Sequence, residues 1–283
     1  MTTEYAFITG GASGVGKAIA EMLTSKNIKV FIADQNEAGA RAVAQATKGS
    51  YAIVDVTSWE SQLAAFSQAV AEFGRVDYVY PIAGISENVW FPEPPAPGVA
   101  AAATTFGKPN LQVLDINVTG AMYTVALAIQ QFRRQTPNNY GFRGKIVIAG
   151  SVCGVYCCPS LPIYTASKHA ITGLVRSWGK ALPSEGITLN SINPNAMRTN
   201  ISTGDFYQLL EAENLLTPLS GCVDACARLL GNNGESGECF EIGPNYDRGQ
   251  GLVKPKFAPL EDEAQIRVFE KLAARGAAKR SKL

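Results

Sequence analysis

The chain has 283 residues, of which 46% are hydrophobic and 17% charged, and its formal net charge at pH 7 is +1. This composition excludes an intrinsically disordered chain, and the near-zero charge argues against a protein that binds nucleic acid through a basic surface. No apolar run reaches the roughly 18 residues that a membrane-spanning helix needs, so we expect no membrane span.

Short apolar runs that alternate with helical patterns predict a single α/β domain. The predicted strands are 5–9, 29–33, 51–54, 76–80, 145–149, 187–192 and 239–242. The predicted helices include about 15–25, 59–73, about 110–133 and, beyond the last strand, 262–275. In helix 59–73, the spacing of Leu63, Phe66, Val70 and Phe73 predicts one buried stripe. Right-handed crossovers between such strands give a doubly wound parallel sheet, the Rossmann arrangement.

The domain is predicted to end near residue 247, and residues 248–283 form a C-terminal extension. The proline- and alanine-rich stretch 91–108 predicts an insertion loop, because proline cannot continue a helix. The last three residues, Ser281-Lys282-Leu283, match a peroxisomal targeting signal. We therefore expect the peroxisomal import receptor as a partner and the peroxisome matrix as the location, or the cytoplasm if the signal is not read.

Six cysteines and one histidine provide little material for a metal site. Neither Cys153-x3-Cys157 nor Cys222-x3-Cys226 has the spacing of a paired zinc motif, and His169 lies elsewhere. We expect no metal, free thiols that pack as small hydrophobic groups, and a structural role for His169.

A glycine-rich turn at 9–16 follows the first strand and leads into the first helix. Gly10 permits a tight turn, Gly14 lets backbone approach a pyrophosphate, and Gly16 lets the helix pack close to the strand. The N–H groups and partial positive charge of the helix N-terminus favour phosphate. The residues assigned to a dinucleotide cofactor here are Gly10, Ser13, Gly14, Val15 and Gly16.

Asp34 ends the second predicted strand, 18 residues after Gly16. A carboxylate at this place accepts hydrogen bonds from both ribose hydroxyls of NAD and repels the 2′-phosphate of NADP. We therefore predict NAD rather than NADP as the cofactor. The alternative is that Asp34 only caps the turn that follows.

Tyr164 and Lys168 stand four residues apart on a predicted helix, so both project from one face. A phenol with a pKa near 10 becomes a base at neutral pH only if its anion gains about 4 kcal/mol. The Lys168 ammonium and the positive ring of an oxidised nicotinamide are candidates for that stabilisation. Ser151, at the end of the fifth strand, can hold the substrate oxygen while Tyr164 moves the proton.

Together these motifs resemble the short-chain dehydrogenase/reductase family, in its single-domain branch, over about residues 4–245. The matching positions are the 9–16 turn, Asp55-Val56, Asn117, Ser151, Tyr164-x3-Lys168 and Pro194 to Thr199. The resemblance implies that Asp55 and Val56 meet the adenine and Thr199 the nicotinamide carboxamide. It also implies that Asn117 holds a water that relays protons to Lys168, and that Lys168 contacts the nicotinamide ribose. Homodimers or homotetramers through the helices near 110–133 and 164–182 are implied as well.

Two positions depart from the family pattern. Pro81-Ile82 replaces a usual Asn-Asn before Ala83-Gly84, and Asn195 replaces a usual glycine after Pro194. Because Ala83 and Gly84 remain as backbone contacts to the cofactor, we expect cofactor binding to survive.

The stretch 152–163 is mostly apolar and contains no arginine or lysine to clamp an anion. The family resemblance implies that residues 200–218 form a substrate lid, which includes Ile201, Phe206, Tyr207, Leu209 and Leu210. An apolar pocket favours a hydrophobic secondary alcohol or ketone as substrate. The alternative for these side chains is ordinary core packing. Two further functions stay open: enoyl reduction, isomerisation or a lyase step in the same pocket, and a catalytically retired scaffold that binds cofactor.

Overall fold

A parallel seven-stranded sheet with helices on both faces forms the centre of the computed structural model, which describes residues 3–87, 90, 106–199, 204–259 and 261–280. The strands are β1 (Glu4–Thr9), β2 (Ile28–Asp34), β3 (Ser50–Ile53), β4 (Tyr78–Pro81), β5 (Gly144–Ala149), β6 (Ile187–Pro194) and β7 (Cys239–Ile242). The α-helices are α1 (Gly14–Ser25), α2 (Glu37–Thr47), α3 (Trp59–Phe73), α4 (Gln112–Leu114), α5 (Ala121–Arg134), α6 (Pro162–Trp178), α7 (Gly204–Ala212), α8 (Leu219–Arg228) and α9 (Glu263–Arg280). A π-helical segment, Asp115–Gly120, joins α4 to α5.

The seven predicted strands are confirmed, each within two residues of its observed bounds. In α3, however, the predicted buried stripe is wrong at Leu63, which is 41% exposed. Gln62 is buried instead, because its side-chain amide donates hydrogen bonds to the carbonyls of Val56 and Gly120. The buried face of α3 therefore includes Gln62 and not Leu63. Hydropathy alone does not predict this, because it does not account for the hydrogen bonds that allow a polar side chain to be buried.

Both faces of the sheet are covered by apolar cores. Along β1, Phe7 faces the core formed with α3, α5 and α6, whereas Ile8 faces the core formed with α1, α2 and α8. Alternation along a strand with burial on both sides is the expected pattern of a parallel sheet. The doubly wound architecture is thereby confirmed.

The order of the strands, β3-β2-β1-β4-β5-β6-β7, contains one reversal of winding between β1 and β4. The turn after β1 and the loop after β4 therefore diverge at the carboxyl edge of the sheet. Open α/β sheets bind ligands in the crevice at such a reversal.

The helix over 112–134 is long and apolar enough to cross a membrane by length and composition alone. Half of its apolar window is buried, and Val125, Ile129 and Phe132 pack into the core beneath the sheet. Because core helices share this composition, the helix is weak support for a membrane span.

Part of the C-terminal extension is laid along the sheet. Val253 forms an antiparallel bridge with Glu241 of β7, with backbone N–H to O distances of 2.7 and 3.1 Å. Further on, the Arg176 guanidinium lies 3.5 Å from the centre of the Phe257 ring. The domain boundary at 247 stays a prediction, and residues 91–105, 200–203 and 281–283 of the predicted insertion loop, lid and targeting signal lie outside the described residues.

Candidate active site

The glycine-rich turn after β1 is packed so closely that side chains are excluded at two positions. Gly10 has φ +72°, and a Cβ there would lie 2.6 Å from the Ala83 nitrogen. A Cβ on Gly16 would overlap the carbonyl oxygen of Gly10. The turn thus touches the loop after β4 on one side and the first turn of α1 on the other, as its spacing predicts.

The N-terminus of α1 is suited to an anion. Its N-cap, Ser13, is exposed and makes no side-chain capping bond, and no acidic residue occupies the first turn. Val15 lies beside it, half-buried. In the described segment, no side chain caps the first backbone N–H groups of α1. These N–H groups and the helix dipole fit the pyrophosphate of a dinucleotide.

Asp34 lies at the carboxyl end of β2, beside the glycine turn. Its Oδ2 accepts a hydrogen bond from the Ala12 N–H at 3.0 Å, and its Oδ1 accepts one from the Asn36 N–H at 2.9 Å. Asp34 therefore does cap the turn that follows, while its contact with the ribose stays a prediction. Each carboxylate oxygen keeps a further lone pair, so ribose binding is compatible with these contacts.

Three other positions assigned to the cofactor also reach this edge. Asp55 follows β3 and accepts hydrogen bonds from Thr57, and Val56 is half-buried beside it. Thr199 follows β6, and its methyl carbon lies 3.6 Å from a Cβ built on Gly14. The structure thus brings Thr199 against the glycine turn, while the contacts of these residues with adenine and nicotinamide stay predictions.

The departure at Pro81 changes the sheet rather than the crevice. The Ile82 N–H donates to the Thr9 carbonyl, so pairing with β1 continues past the proline. Alternation places the missing N–H of Pro81 on the β5 side, where the ladder ends at Val79. Ala83 lies against the glycine turn, and Gly84 lies beside the side chains of Asn117 and Lys168.

Asn195 can replace the family's glycine because its φ is not positive, so the backbone here needs no left-handed conformation. Its side-chain oxygen accepts the N–H of Ala196 at 2.8 Å, and its own N–H donates to the Ile242 carbonyl. The loop after β6 is therefore fixed by hydrogen bonds at the position where the family has glycine.

Tyr164 and Lys168 project from the same face of α6, as their spacing predicts. The Lys168 Nζ lies 5.5 Å from the centre of the Tyr164 ring and donates a 2.9 Å hydrogen bond to the Ala149 carbonyl at the end of β5. Ser151 is buried, accepts the Cys153 N–H at 3.1 Å and directs its own hydroxyl toward the Pro194 carbonyl at 3.5 Å. It lies close enough to Tyr164 to favour a lower pKa of the phenol. An acid, an amine and a hydroxyl therefore meet at one point of the carboxyl edge.

Burial dominates the ionisation of this pair. It raises the pKa of Tyr164 to about 12, against the smaller opposing effect of the Ser151 hydroxyl, and lowers the pKa of Lys168 to about 8. The shift of the phenol runs opposite to the direction expected from Lys168. The reason is that desolvation disfavours both charges while the ammonium points to a carbonyl. Lys168 alone thus does not favour the anion of Tyr164, and burial favours the protonated phenol.

Asn117 is buried in the π-helical segment and fixes the loop after β4. Its Oδ1 accepts the Ile85 N–H and its Nδ2 donates to the Ile85 carbonyl, both at 2.9 Å. Its Nδ2 also lies 3.3 Å from the Ser167 hydroxyl on α6. π-helical turns are common at functional sites. The proton relay through Asn117 stays a prediction.

Two residues that orient the site are missing from the sequence predictions. The Glu87 Oε2 accepts the N–H of Tyr164 at 2.8 Å, in the first turn of α6. The buried Asn193 donates from Nδ2 to the Ser151 carbonyl at 2.9 Å. A polar asparagine inside an apolar strand is a sequence signal that could have identified Asn193, whereas no pattern singles out Glu87.

A cavity of about 400 Å³, which we call the β7 pocket, adjoins this site at the ends of β5, β6 and β7. The β7 pocket is lined by Val152, Cys153, Tyr156, Cys157, Cys158, Asn195, Glu241, Ile242, Gly243, Pro244, Gln250 and Val253. Its wall is more polar than the stretch 152–163 predicts, because β7 and the C-terminal extension contribute amide and carboxyl groups.

Among the lid residues that the structure describes, Tyr207 lies against the site. The Tyr207 hydroxyl is buried and lies 3.3 Å from the Thr199 hydroxyl. Phe206 and Leu209 are 43% and 60% exposed. Tyr207 thereby extends the polar boundary of the crevice.

The cysteines are free thiols, and Cys222, Cys226 and Cys239 are buried in the cores, as predicted. Burial raises the pKa of Cys153, which agrees with a packing role. The His169 ring bonds the carbonyl of Thr165 on its own helix, which agrees with a structural role.

The chain is similar in sequence to proteins of a known family. The model of the short chain dehydrogenase family matches residues 4–208. A short-chain dehydrogenase/reductase, prx4, of Penicillium rubens is 32% identical over 208 residues, which cover 74% of this chain and 59% of that protein. A 2,5-dichloro-2,5-cyclohexadiene-1,4-diol dehydrogenase of Sphingobium indicum is 32% identical over 68% of this chain and 72% of its own.

Among solved structures, 3-ketoacyl-(acyl-carrier-protein) reductase from Brucella melitensis, complexed with NADH, superposes with a TM-score of 0.71. The two share 22% identity, over 85% of this chain and 97% of that one, which shows the common fold. The matched span includes the glycine turn, Ser151, Tyr164 and Lys168. The chain belongs to the short-chain dehydrogenase/reductase family of oxidoreductases.

Proposed function

We propose that this chain is an NAD-dependent oxidoreductase that interconverts a hydrophobic secondary alcohol and its ketone. The observation that carries the proposal is the meeting of Ser151, Tyr164 and Lys168 at the carboxyl edge, next to a glycine turn suited to pyrophosphate. The chain covers 59% of the first Penicillium relative, so the activity of that whole protein is not assumed. The diol dehydrogenase named above supports chemistry on a carbinol carbon.

The residues of the site fit a proton transfer to a ketone oxygen. A nicotinamide dinucleotide bound at Gly10, Ser13, Gly14 and Gly16 would supply the hydride acceptor or donor. Ser151 holds the substrate oxygen, and the protonated phenol gives its proton to it. The Lys168 ammonium then stabilises the phenolate that remains. Alcohol oxidation reverses these steps.

The test is incubation with NAD and a panel of lipophilic secondary alcohols, or with NADH and the matching ketones, read by the absorbance of the reduced cofactor. Turnover of at least one pair supports the proposal. NAD binding without turnover of any alcohol or ketone would favour the retired scaffold. Turnover confined to enoyl compounds would favour enoyl reduction.

We also propose that Asp34 sets the preference for NAD. Asp34→Ala is expected to lower the ratio of kcat/KM for NAD to that for NADP by about tenfold or more, because the charge that repels a 2′-phosphate is lost. Within the described chain, α2 carries one arginine, Arg41. Its guanidinium already contacts Glu37 and Tyr51. Using a ratio as the measurement cancels any general damage to the turn that Ala12 and Asp34 share. An unchanged ratio would refute this assignment.

Peroxisomal import through Ser281-Lys282-Leu283 is proposed from the sequence alone. A tagged copy lacking residues 281–283 is expected to lose its punctate distribution in cells, whereas a copy with Lys279→Ala is expected to keep it. Punctate distribution without the three residues would contradict the proposal.

Assembly as a homodimer or homotetramer through α5 and α6 is likewise proposed, on the family resemblance.

A further inference from the structure

Glu241 places a carboxyl group in the wall of the β7 pocket. Its backbone is fixed on one side by β6 and on the other by the bridge to Val253. One carboxylate oxygen, Oε2, lies 3.3 Å from the donating Tyr156 hydroxyl. The other, Oε1, is shielded from solvent and has no hydrogen-bond partner within the described part of the chain.

An unpaired, desolvated carboxylate oxygen is costly unless a donor reaches it. Burial raises the pKa of the Glu241 carboxyl, which reflects that cost. The neighbouring groups in the pocket include the amides of Asn195 and Gln250. Oε1 is closed to the cavity, so a ligand hydroxyl would reach the carboxylate at Oε2, which keeps a further lone pair beside the Tyr156 hydroxyl. A donor there would offset part of the cost of the unpaired oxygen.

The pocket reaches the reacting atoms through Cys153. Cys153 lines the β7 pocket, and its backbone N–H donates to the Ser151 hydroxyl at 3.1 Å. A substrate whose carbinol carbon lies at Ser151 can therefore extend past Cys153 into the pocket, where Ile242 and Val253 offer apolar surface.

We propose that the β7 pocket binds a second hydroxyl group of the substrate, with Glu241 as its acceptor and Tyr156 as the residue that orients Glu241. The chain then favours substrates that carry a second hydroxyl group over simple secondary alcohols. This inference rests on the proposed function. It names specificity-determining residues on β7 and in the 152–163 stretch and changes no step of the proton transfer.

The experiment compares cis-1,4-cyclohexanediol with cyclohexanol in the full-length protein with NAD. We expect the wild-type kcat/KM for the diol to exceed that for cyclohexanol by about tenfold or more. Glu241→Gln, which keeps the shape and removes the charge, and Tyr156→Phe are each expected to lower that ratio by at least about fivefold, mainly through the KM of the diol. Tyr156 is 57% exposed, so its substitution leaves the fold intact.

Glu238→Gln is the matched control. Glu238 precedes β7 and forms an ion pair with Lys254, and it does not line the pocket.

Binding of the diol to the cofactor-free protein, measured by calorimetry, gives a readout independent of turnover. Weaker binding by Glu241→Gln without turnover of any alcohol would uphold the pocket and refute the oxidoreductase proposal. Turnover of cyclohexanol with no wild-type preference for the diol, or a ratio unchanged in both variants, would overturn the pocket assignment. Tighter binding of trans-4-aminocyclohexanol than of the diol would also overturn it, since the pocket would then select a cation.

Discussion

Tyr164→Phe is expected to lower turnover of the alcohol and of its ketone by about 10²- to 10⁴-fold, the usual range for loss of a general acid–base group. The ring that packs beside Lys168 is retained, and only the proton-carrying hydroxyl next to Ser151 is removed. The loss should therefore appear in kcat, measured at saturating cofactor and substrate by the absorbance of the reduced cofactor.

Tyr140→Phe provides the matched control. Tyr140 is 49% exposed and precedes β5, so it lies toward the amino edge of the sheet, opposite the site. It removes the same hydroxyl from a place where no proton is transferred, and turnover should stay at the wild-type level. If Tyr164→Phe retained wild-type kcat with both substrates, Tyr164 would not be the acid.

Gly16→Ala is expected to raise the dissociation constant for NAD by at least about tenfold and to destabilise the fold by about 1–3 kcal/mol. The added Cβ would overlap the Gly10 carbonyl oxygen, which is backbone and cannot rotate away. The start of α1 must then move out of line with the crevice. Calorimetric titration with NAD and thermal unfolding measure the two effects.

Gly173→Ala is the control for this substitution. Gly173 lies on the exposed side of α6, and a Cβ there meets no atom of the described chain within 4 Å. Because α6 is also proposed as an assembly surface, the control compares NAD affinity alone, which should stay at the wild-type value. Equal NAD affinity in Gly16→Ala and the wild type would show that close packing of the turn is not needed for binding.

The parts of the site that depend on local spacing could be predicted from the sequence. The turn at 9–16 and the Tyr164–Lys168 pair are each contained in fewer than ten residues, and their geometry follows from strand, turn and helix periodicity. The strand pattern likewise yields the layers of the fold, because parallel strands buried on both faces are apolar throughout.

Contacts between distant segments could not be predicted in this way. The bond from Tyr164 to Glu87 joins residues 77 positions apart, and the bonds from Asn117 to Ile85 join residues 32 apart. They depend on which loops the sheet order brings together. The ionisation of Tyr164 depends on its burial, a property of the whole tertiary structure that spacing does not contain.

The bridge between Val253 and Glu241 has a consequence for the outermost strand. β7 closes one side of the sheet, so its outward backbone groups would be available to a strand from another molecule. Val253 occupies the donor and acceptor of Glu241 and covers part of that border. A shortened protein that stops at residue 247 would expose the outer backbone groups of β7. Copies of it would then be prone to associate edge to edge, although every catalytic side chain would be intact.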